Sequence, residues 1–368
     1  MQKTFADVLT IKNGKNQKAV ENPDGKYPIY GSGGIMGRAD SFICHSGTVI
    51  IGRKGSINNP IFAEEPLWNV DTAFGLEADP TQLTPKYLYY FCKQFDFTRL
   101  NKAVTIPSLT KTDLLQITME VPCLEKQASV VGTLDKIAKI IALRKRQLEE
   151  LDTLVKARFV EMFGDLGDPA CKWETCMLSE ACEKPDDIKC GPFGTQLSKD
   201  EYQNSGVAVW EIPQINSQFT TTPTHFVTKN KAEILSAYSL VPGDIAMSRK
   251  GNVGKCAVFP NVFEAGIIHS DVLRIRLDYK KADPIFMMNQ LHNSTAIQNQ
   301  IAAVSNGAVM SGINVTKLKR IEVYLPPLKL QNQFSEFVAQ IDKSKVVVQK
   351  ALDEAQLLFD SLMQQYFR

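Results

Sequence analysis

Residues 124–163 read LEKQASVVGTLDKIAKIIALRKRQLEELDTLVKARFVEMF. Apolar side chains recur in this stretch at every seventh position, with further members between them: Leu134, Ile137, Ile141, Leu148, Leu151, Val155 and Met162. The remaining positions are largely Lys, Arg, Glu and Gln, so the pattern predicts a long helix with a coiled-coil-like seam. At ~1.5 Å per residue the helix would reach roughly 55–60 Å, and this length favours a spacer over a core helix.

The end of the chain carries a second copy of this pattern. Over residues 334–366 the apolar positions alternate at three and four, which is again a period near ~3.5. Residues 134–136 (Leu-Asp-Lys) correspond to 341–343 (Ile-Asp-Lys), and a proline-containing run precedes each helix. Two copies of a linker helix imply two copies of the block that comes before it.

The two blocks, about 1–122 and 173–326, share the order of their motifs. GTVIIGRKGS at 47–56 matches GDIAMSRKGN at 243–252. Farther along, Asp71 is matched to Asp271, Pro85 to Pro284 and Leu114 to Leu318. The numbering offset grows mostly before the shared Arg-Lys-Gly, which predicts an insertion there in the second copy. Two domains that share a framework but differ in their loops are expected of a protein that recognises two different targets.

Local patterns in the first block predict individual elements. Residues 27–34 (YPIYGSGG) form a predicted turn-dense loop because they contain three glycines within four positions. Residues 47–52 predict a buried strand that runs directly into the basic turn. Residues 85–95 have the spacing of an amphipathic helix that starts at Pro85.

Bulk composition is that of an ordinary globular protein. The chain has 368 residues, of which 44% are hydrophobic and 22% charged, so it has length for two or three domains and is not disordered. It lacks an apolar run of about 18 residues and an N-terminal signal peptide, which predicts a cytoplasmic protein. The net charge of +2 is only mildly basic. Nucleic-acid binding would therefore depend on local patches and on a partner.

The eight cysteines do not suggest a disulfide framework or a zinc site. Cys171, Cys176, Cys182 and Cys190 lie close together, but their spacing is not that of a zinc ribbon and no histidine pair follows them. We expect free thiols and no metal site.

The chain contains two repeats of about 150 residues, and each repeat ends in a Pro-Leu run and a long helix. Both repeats have an Arg-Lys-Gly turn, and the second also has Gly-Pro-Phe-Gly-Thr at 191–195. In these features the whole chain resembles the specificity (S) subunit of type I restriction-modification systems. The resemblance implies an α+β fold with two pseudo-repeated mixed α/β recognition domains, separated by a long antiparallel two-helix coiled coil. The expected boundaries are 1–122 and 173–326 for the domains, and 123–165 and 327–368 for the spacer helices.

The resemblance also implies partners and cofactors. Each domain would read one half of a split sequence in double-stranded DNA, and two methyltransferase (M) subunits would dock on the helices. S-adenosylmethionine would belong to the M subunits. Where restriction (R) subunits join the complex, ATP and Mg would belong to them. The chain itself would hold no cofactor and have no catalytic residues.

Candidate DNA contacts come from the basic turns and from the early loops: Arg53, Lys54, Ser56, Arg249, Lys250, Asn252 and Lys255, with Gln196 and Ser32 proposed from loop position alone. Arginine can bind guanine bidentately, asparagine can read adenine, and lysine usually contacts phosphate. The alternative is that each Arg-Lys-Gly is a structural turn whose charges lie in solvent. Trp68, Trp210 and His269 are expected to pack rather than to contact bases.

The helices are the expected subunit interface, with Leu148, Leu151, Val155, Leu352, Phe359 and Leu362 as candidates. Basic residues of the first helix, such as Arg144 and Arg158, could pair with acidic residues of an M subunit, although a solvated helix face explains them equally well.

Motifs of catalysis are missing from the sequence. It has no Asn-Pro-Pro-aromatic motif, no Gly-rich adenosylmethionine loop and no phosphate-binding Gly-x-x-x-x-Gly-Lys-Ser/Thr. Two alternatives stay open: a stand-alone nuclease or methyltransferase with an unrecognised active site, and a scaffold with no role in DNA binding.

Overall fold

The computed structural model describes residues 1–101, 106–168, 171–305 and 312–367. Parts of both expected recognition domains (102–105 and 306–311) and residue 368 of the expected second spacer therefore lie outside the described residues. The chain divides into two compact units. The first unit is Met1–Gln147 with Val348–Arg368, and the second unit is Leu148–Val347.

The described part of the first block has these elements: β1 Gln2–Thr4, α1 Phe5–Val8, β2 Leu9–Asn13, β3 Tyr27–Gly31, β4 Gly34–Ala39, β5 Val49–Gly52, β6 Ile61–Phe62, β7 Trp68–Asn69, β8 Ala73–Ala78, α2 Pro85–Gln94, α3 Lys111–Leu115, β9 Thr118–Glu120 and the long helix α4 Leu124–Phe163. A 3-10 turn at Phe97–Leu100 follows α2.

The described part of the second block has β10 Thr175–Met177, β11 Ile188–Cys190, β12 Val207–Trp210, α5 Ile212–Asn216, β13 His225–Val227, α6 Lys229–Ile234, β14 Ser239–Leu240, β15 Ile245–Ser248, β16 Cys256–Val258, β17 Gly266–Ile268, β18 Val272–Ile275, α7 Pro284–Asn293, α8 Thr295–Ser305, α9 Val315–Lys319, β19 Glu322–Tyr324 and the long helix α10 Leu328–Tyr366. Short 3-10 turns occur at Pro185–Asp187, Lys199–Glu201 and Ser236–Tyr238.

The strands of the first unit form a four-stranded antiparallel sheet in the order β2-β8-β5-β6 and a second sheet in the order β4-β3-β7. Strand β5 is buried at every position because its residues, Val49 to Gly52, are apolar on both faces. Helix α2 packs its buried side chains into the same core, and its observed bounds confirm the helix predicted from Pro85 onward.

The second unit repeats this order and adds one strand, β14, beside β17. Its sheets run β11-β18-β15-β16 and β13-β12-β17-β14, and β12 pairs with β17 in parallel as β3 pairs with β7. In each copy, the first and last strands of the block also pair with one another, β1 with β9 and β10 with β19. The internal repeat predicted from the sequence is therefore confirmed.

One local prediction is wrong. Residues 27–34 are not a loop, because β3 and β4 form a hairpin across them whose turn is Ser32 and Gly33. Pro28, Ile29 and Tyr30 are buried, so the gain from burying their side chains decides the conformation. Of the glycines in this stretch, Gly34 has the positive φ (125°) that other residues avoid.

The match of Asp71 with Asp271 is also wrong by one position. The amide of Arg53 donates to the carbonyl of Thr72, and the amide of Arg249 donates to the carbonyl of Asp271. Thr72 is therefore the structural equivalent of Asp271. The sequence match aligned two identical residues that are one position apart in the strand register.

The largest difference between the copies lies between the paired strands of the second sheet. A two-residue turn joins β3 to β4, whereas a longer segment containing α5 joins β12 to β13. This segment packs onto the sheets of the second unit, where Trp210 contacts Phe219 of the segment and Phe259 after β16, with ring centroids 5.3 and 5.1 Å away. Trp210 is buried, which confirms the expectation that it packs.

The two long helices lie side by side in antiparallel directions, and each unit contains part of both. In the first unit, Val130 and Leu134 of α4 share a core with Met363 at the end of α10. In the second unit, the ring of Phe159 lies 5.4 Å from that of Phe334, and Asp152 pairs with Lys345 at 2.7 Å. Helix α4 has the bounds that its pattern predicted, and the α+β fold is confirmed. In the described part of the chain, no helix is long and apolar enough to cross a membrane.

A buried glutamine joins each block to its long helix. The side chain of Gln127 donates to the carbonyls of Gln82 and Pro122 and accepts from the amide of Thr84, at 2.7, 2.9 and 2.8 Å. Gln331 makes the equivalent three bonds in the second unit, to Lys281, Pro326 and Asp283. One amide group therefore satisfies two backbone groups before α2 or α7 and one before the long helix, which connects the two helices.

Candidate nucleic-acid interface

The turn after β5 presents the first group of candidate residues. Its backbone is fixed, since the Arg53 amide donates to Thr72 at 2.8 Å and the Arg53 carbonyl accepts from Leu109 at 2.9 Å. Gly55 has a φ of +81°, which glycine adopts without strain. Main-chain bonds to two neighbouring segments therefore hold the turn.

The side chains of this turn are exposed. The Arg53 guanidinium lies 5.7 Å from the centre of the Phe74 ring. Neither Arg53 nor Lys54 makes a side-chain hydrogen bond or ion pair to another residue that the structure describes, and Ser56 is exposed beside them. A Cβ added at Gly55 would lie 3.8 Å from the Ser32 hydroxyl oxygen, so the hairpin turn reaches the basic turn. Two cations and two hydroxyls are thus available to an anionic ligand.

The equivalent turn after β15 has the same backbone but a different environment. The amide of Arg249 donates to Asp271 at 2.9 Å, its carbonyl accepts from Ile313 at 3.1 Å, and Gly251 has a φ of +68°. The two Arg-Lys-Gly turns are therefore structural equivalents. The difference between them lies in their side chains.

Arg249 is bound within its own domain. Its guanidinium donates to the carbonyls of Ile313 and Ser270 and to the thiol of Cys190, at 3.2, 3.4 and 3.3 Å, and it stacks over Phe193. Lys250 pairs with the Asp271 carboxylate at 2.8 Å. The basic pair of the second unit is consequently less available than that of the first, although part of each side chain is exposed.

Two further candidates, Asn252 and Lys255, are exposed and line a cleft of about 510 Å³. The cleft also has polar side chains from α4, α7 and α8: Lys156, His292, Asn293 and Gln298. Burial lowers the pKa of His292, and the charges of Lys255 and Lys156 lower it further. A neutral imidazole beside two cations leaves this cleft with a positive character suited to phosphate.

Gln196 lies in the loop between β11 and β12. Its amide oxygen accepts from the Tyr238 hydroxyl at 2.9 Å, and its side chain is exposed. Phe193, in the same loop, contacts Arg249. The loop is therefore next to the basic turn of the second unit.

A polar network beside this turn was missed by the sequence analysis. Glu211 at the end of β12 accepts from Nδ1 of His225 at 2.8 Å, and its other oxygen lies 3.9 Å from Nε2 of His269. The amide of Asp271 donates to Nδ1 of His269 at 3.2 Å. The expectation that His269 only packs is incomplete, because its ring connects two carboxylate residues. Spacing could not reveal the network, since its members lie on separate strands.

The six predicted subunit-interface residues lie along the seam between the long helices. Val155 and Leu352 are buried between the helices, and their assignment to a subunit interface stays a prediction. Leu151, Phe359 and Leu362 pack half-buried at the edges of the cores, and Leu148 is also half-buried. Exposed apolar side chains occur elsewhere on the two helices: Ile140, Leu143, Leu154, Val160, Val346, Val347, Leu357 and Leu358.

The eight cysteines are all free thiols. Burial raises the pKa of Cys44 and of Cys182 to about 12, which makes both unreactive near neutral pH. Among the described residues no group of His, Cys, Asp and Glu is arranged to hold a metal ion.

A duplicated α+β unit, with equivalent basic turns and a long helix after each copy, defines a protein that presents two variants of one recognition scaffold. The family model for the type I restriction modification DNA specificity domain matches residues 1–153 and 171–355. The chain belongs to this family. Its specificity subunits are non-catalytic.

Individual relatives agree with this assignment. The putative type I restriction enzyme MjaX specificity subunit of Methanocaldococcus jannaschii is 25% identical over 208 residues, which are 55% of this chain and 47% of that protein. The chain thus matches about half the length of that relative.

Two solved structures share the fold. The S subunit of a type I restriction-modification system from M. genitalium has a TM-score of 0.68 at 17% identity, and the match covers 100% of this chain and 96% of that one. A chain from a structure of complex assembly and conformational transition of the type I R-M system has a TM-score of 0.59 at 16% identity, covering 100% and 97%.

Proposed function

We propose that this chain is the DNA-specificity subunit of a type I restriction-modification complex and that it reads a bipartite target. Residues 1–122 and 173–326 are the proposed recognition domains, one for each half-site. Residues 123–165 and 327–368 are the proposed spacer helices. The cytoplasmic location predicted from the sequence stays a prediction.

The observation that carries the proposal is the pair of equivalent turns. Arg53 and Arg249 occupy the same position of two copies of one fold, and the same backbone hydrogen bonds hold both. Their surroundings differ, as expected if each copy reads a different sequence. Arginine in a fixed turn can bind guanine O6 and N7 bidentately, while a lysine beside it binds phosphate.

The remaining candidates fit the same surface. Ser32 and Ser56 add hydroxyl groups beside Arg53, and Asn252 and Lys255 add an amide and a cation in the second unit. Because the net charge is only +2, these local groups would supply part of the affinity and the partners the rest.

We propose two methyltransferase subunits as those partners, with S-adenosylmethionine bound to them. Exposed apolar residues on both long helices, among them Leu143 and Leu357, are the proposed docking surface because isolated leucines on an otherwise polar helix are suited to burial against a partner. R subunits, with ATP and Mg, would join where the complex also cleaves DNA.

The test uses the chain purified with its methyltransferase subunits, on the DNA sequence that the complex methylates. Arg53→Ala should weaken binding by about 10- to 100-fold if the side chain reads a base, or should weaken all sequences alike and reduce the salt slope by about 0.9 if it contacts phosphate. Arg99→Ala is the control, since Arg99 is an exposed arginine of the same unit. Unchanged affinity for Arg53→Ala would show that the turn is structural.

The enzyme alternative has a separate test. The purified chain is incubated without partners with DNA and either adenosylmethionine or magnesium. Methylation or cleavage by the lone chain would favour the alternative, whereas activity only after M subunits are added would support the proposed role. The scaffold alternative predicts that the Arg53→Ala chain still assembles with its partners and that the assembled complex binds DNA with unchanged affinity.

A further inference from the structure

The two recognition domains differ in charge at four equivalent positions. The equivalence rests on backbone bonds: Val70 donates to Tyr30 as His269 donates to Trp210, each at 2.9 Å. Strand pairing and the turn bonds extend the match to these pairs: Gly31 and Glu211, Gly37 and His225, Val70 and His269, Thr72 and Asp271. Uncharged or missing side chains in the first unit thus stand where the second unit has two carboxylates and two imidazoles.

The frame at these positions does not require the polar side chains. The same backbone bonds form in the first unit with glycine, valine and threonine. Glu211 is also the N-cap residue of α5, which the first unit lacks, and its Oε2 accepts from His225 and Thr224. These structural contacts do not explain why its Oε1 faces His269. A ligand of the second unit would explain it.

The hydrogen bonds fix the state of the network. Because Nδ1 of His269 accepts from the amide of Asp271, its ring proton lies on Nε2, which faces Glu211 at 3.9 Å. His225 donates to the other oxygen of Glu211 at 2.8 Å and stacks on Tyr202. Glu211 Oε1 therefore keeps acceptor capacity, since a carboxylate has about four acceptor positions.

The network is accessible and oriented by its neighbours. The Glu211 side chain is 18% exposed and that of His225 is 44% exposed, while Trp210 is buried beneath them. Lys250 binds the Asp271 carboxylate at 2.8 Å, which connects the network to the basic turn. A partly buried acceptor next to cations can meet the edge of a base whose phosphate is bound nearby.

We infer that Glu211, oriented by His225 and His269, is a specificity determinant of the second recognition domain and accepts a hydrogen bond from the exocyclic amino group of a cytosine. This inference rests on the proposed function. A carboxylate accepts from cytosine N4 in the major groove, whereas it repels the oxygen that thymine presents there. The first domain has glycine at the equivalent position, Gly31, and lacks this acceptor.

The experiment uses the complete complex of this chain with its methyltransferase subunits. A library of random DNA is methylated in vitro and the modified molecules are sequenced, which gives the preference at each position of both half-sites. With Glu211→Gln, preference for cytosine at one position should fall by about tenfold or more, because the amide supplies a donor as well as an acceptor. The other half-site should be unchanged.

Glu233→Gln is the matched control, because Glu233 is an exposed glutamate of the same unit and its substitution should leave both half-sites as they are. His269→Asn is a second variant, since asparagine can still accept from the Asp271 amide, and it should relax preference at the same position. Both readings are taken on complexes whose thermal unfolding matches that of the unsubstituted complex.

The inference is overturned if the Glu211→Gln and His269→Asn complexes methylate the unsubstituted target with unchanged preference, or if both half-sites lose preference equally. Loss of assembly in Glu211→Gln alone leaves His269→Asn to decide. An unsubstituted complex that methylates DNA with no bipartite preference would instead refute the proposed function.

Discussion

Replacing Gln127 with leucine should destabilise the first unit by about 3 kcal/mol, since three hydrogen bonds are lost at roughly 1 kcal/mol each. Leucine has a similar size, so the change creates little empty space. It leaves the carbonyls of Gln82 and Pro122 and the amide of Thr84 without their side-chain partner. Against a typical domain stability of about 5–15 kcal/mol, this is a large fraction.

Hydrogen exchange measured by mass spectrometry is the suitable assay, because it reports on each unit separately. Amides of α2 should exchange about 100-fold faster in Gln127→Leu, and those of α7 should be unaffected. Gln331→Leu should give the reverse pattern. Gln364→Leu is the control, since Gln364 is exposed and its substitution should change stability by less than about 0.5 kcal/mol. If the amides of α2 exchange in Gln127→Leu at the rate seen in the control, the buried glutamine does not stabilise the connection between the domain and its long helix.

One further substitution tests the second unit, and one chemical modification tests the thiols. Asp244→Asn should cost about 3 kcal/mol in urea unfolding, because the buried carboxylate accepts two hydrogen bonds from the Arg276 guanidinium, at 2.8 and 2.7 Å. The native chain treated with a maleimide near pH 8 should be labelled at exposed Cys123 first. Cys44 should react only after unfolding, since its pKa of about 12 leaves about one thiolate in ten thousand at that pH.

The long helices were predictable because a helix that buries one face repeats its apolar positions over many turns. Helix α4 begins and ends where the pattern does, at Leu124 and Phe163. The helix at Pro85 was predictable for a similar reason, with a proline that fixes its start. In both cases the signal is local, so one sequence contains all of it.

Features that depend on distant segments were not predictable. The stretch 27–34 has the composition of a loop, but pairing with β4 and β7 makes Tyr27–Gly31 a largely buried strand. The basic turns could be found from the Arg-Lys-Gly motif alone. The contacts of Arg249 could not, because they come from distant segments around Cys190 and Ile313. The Glu211 network arises because parallel pairing of β12 with β17 brings the ends of two separated strands together.

The division between backbone and side-chain roles has a consequence for how such a protein can change its target. Near each basic turn the frame is held by main-chain bonds, as between Val70 and Tyr30 or between His269 and Trp210. Replacing the side chain of Val70 or His269 leaves these main-chain bonds in place. The ring of His269 also accepts from the Asp271 amide, so a replacement there must keep an acceptor. The buried glutamines Gln127 and Gln331 cannot be replaced in this way, because their side chains make the hydrogen bonds that connect each domain to its long helix. The side chains that we propose to contact DNA can therefore vary in one domain without disturbing its main-chain frame, whereas the buried glutamines that connect each domain to its long helix cannot.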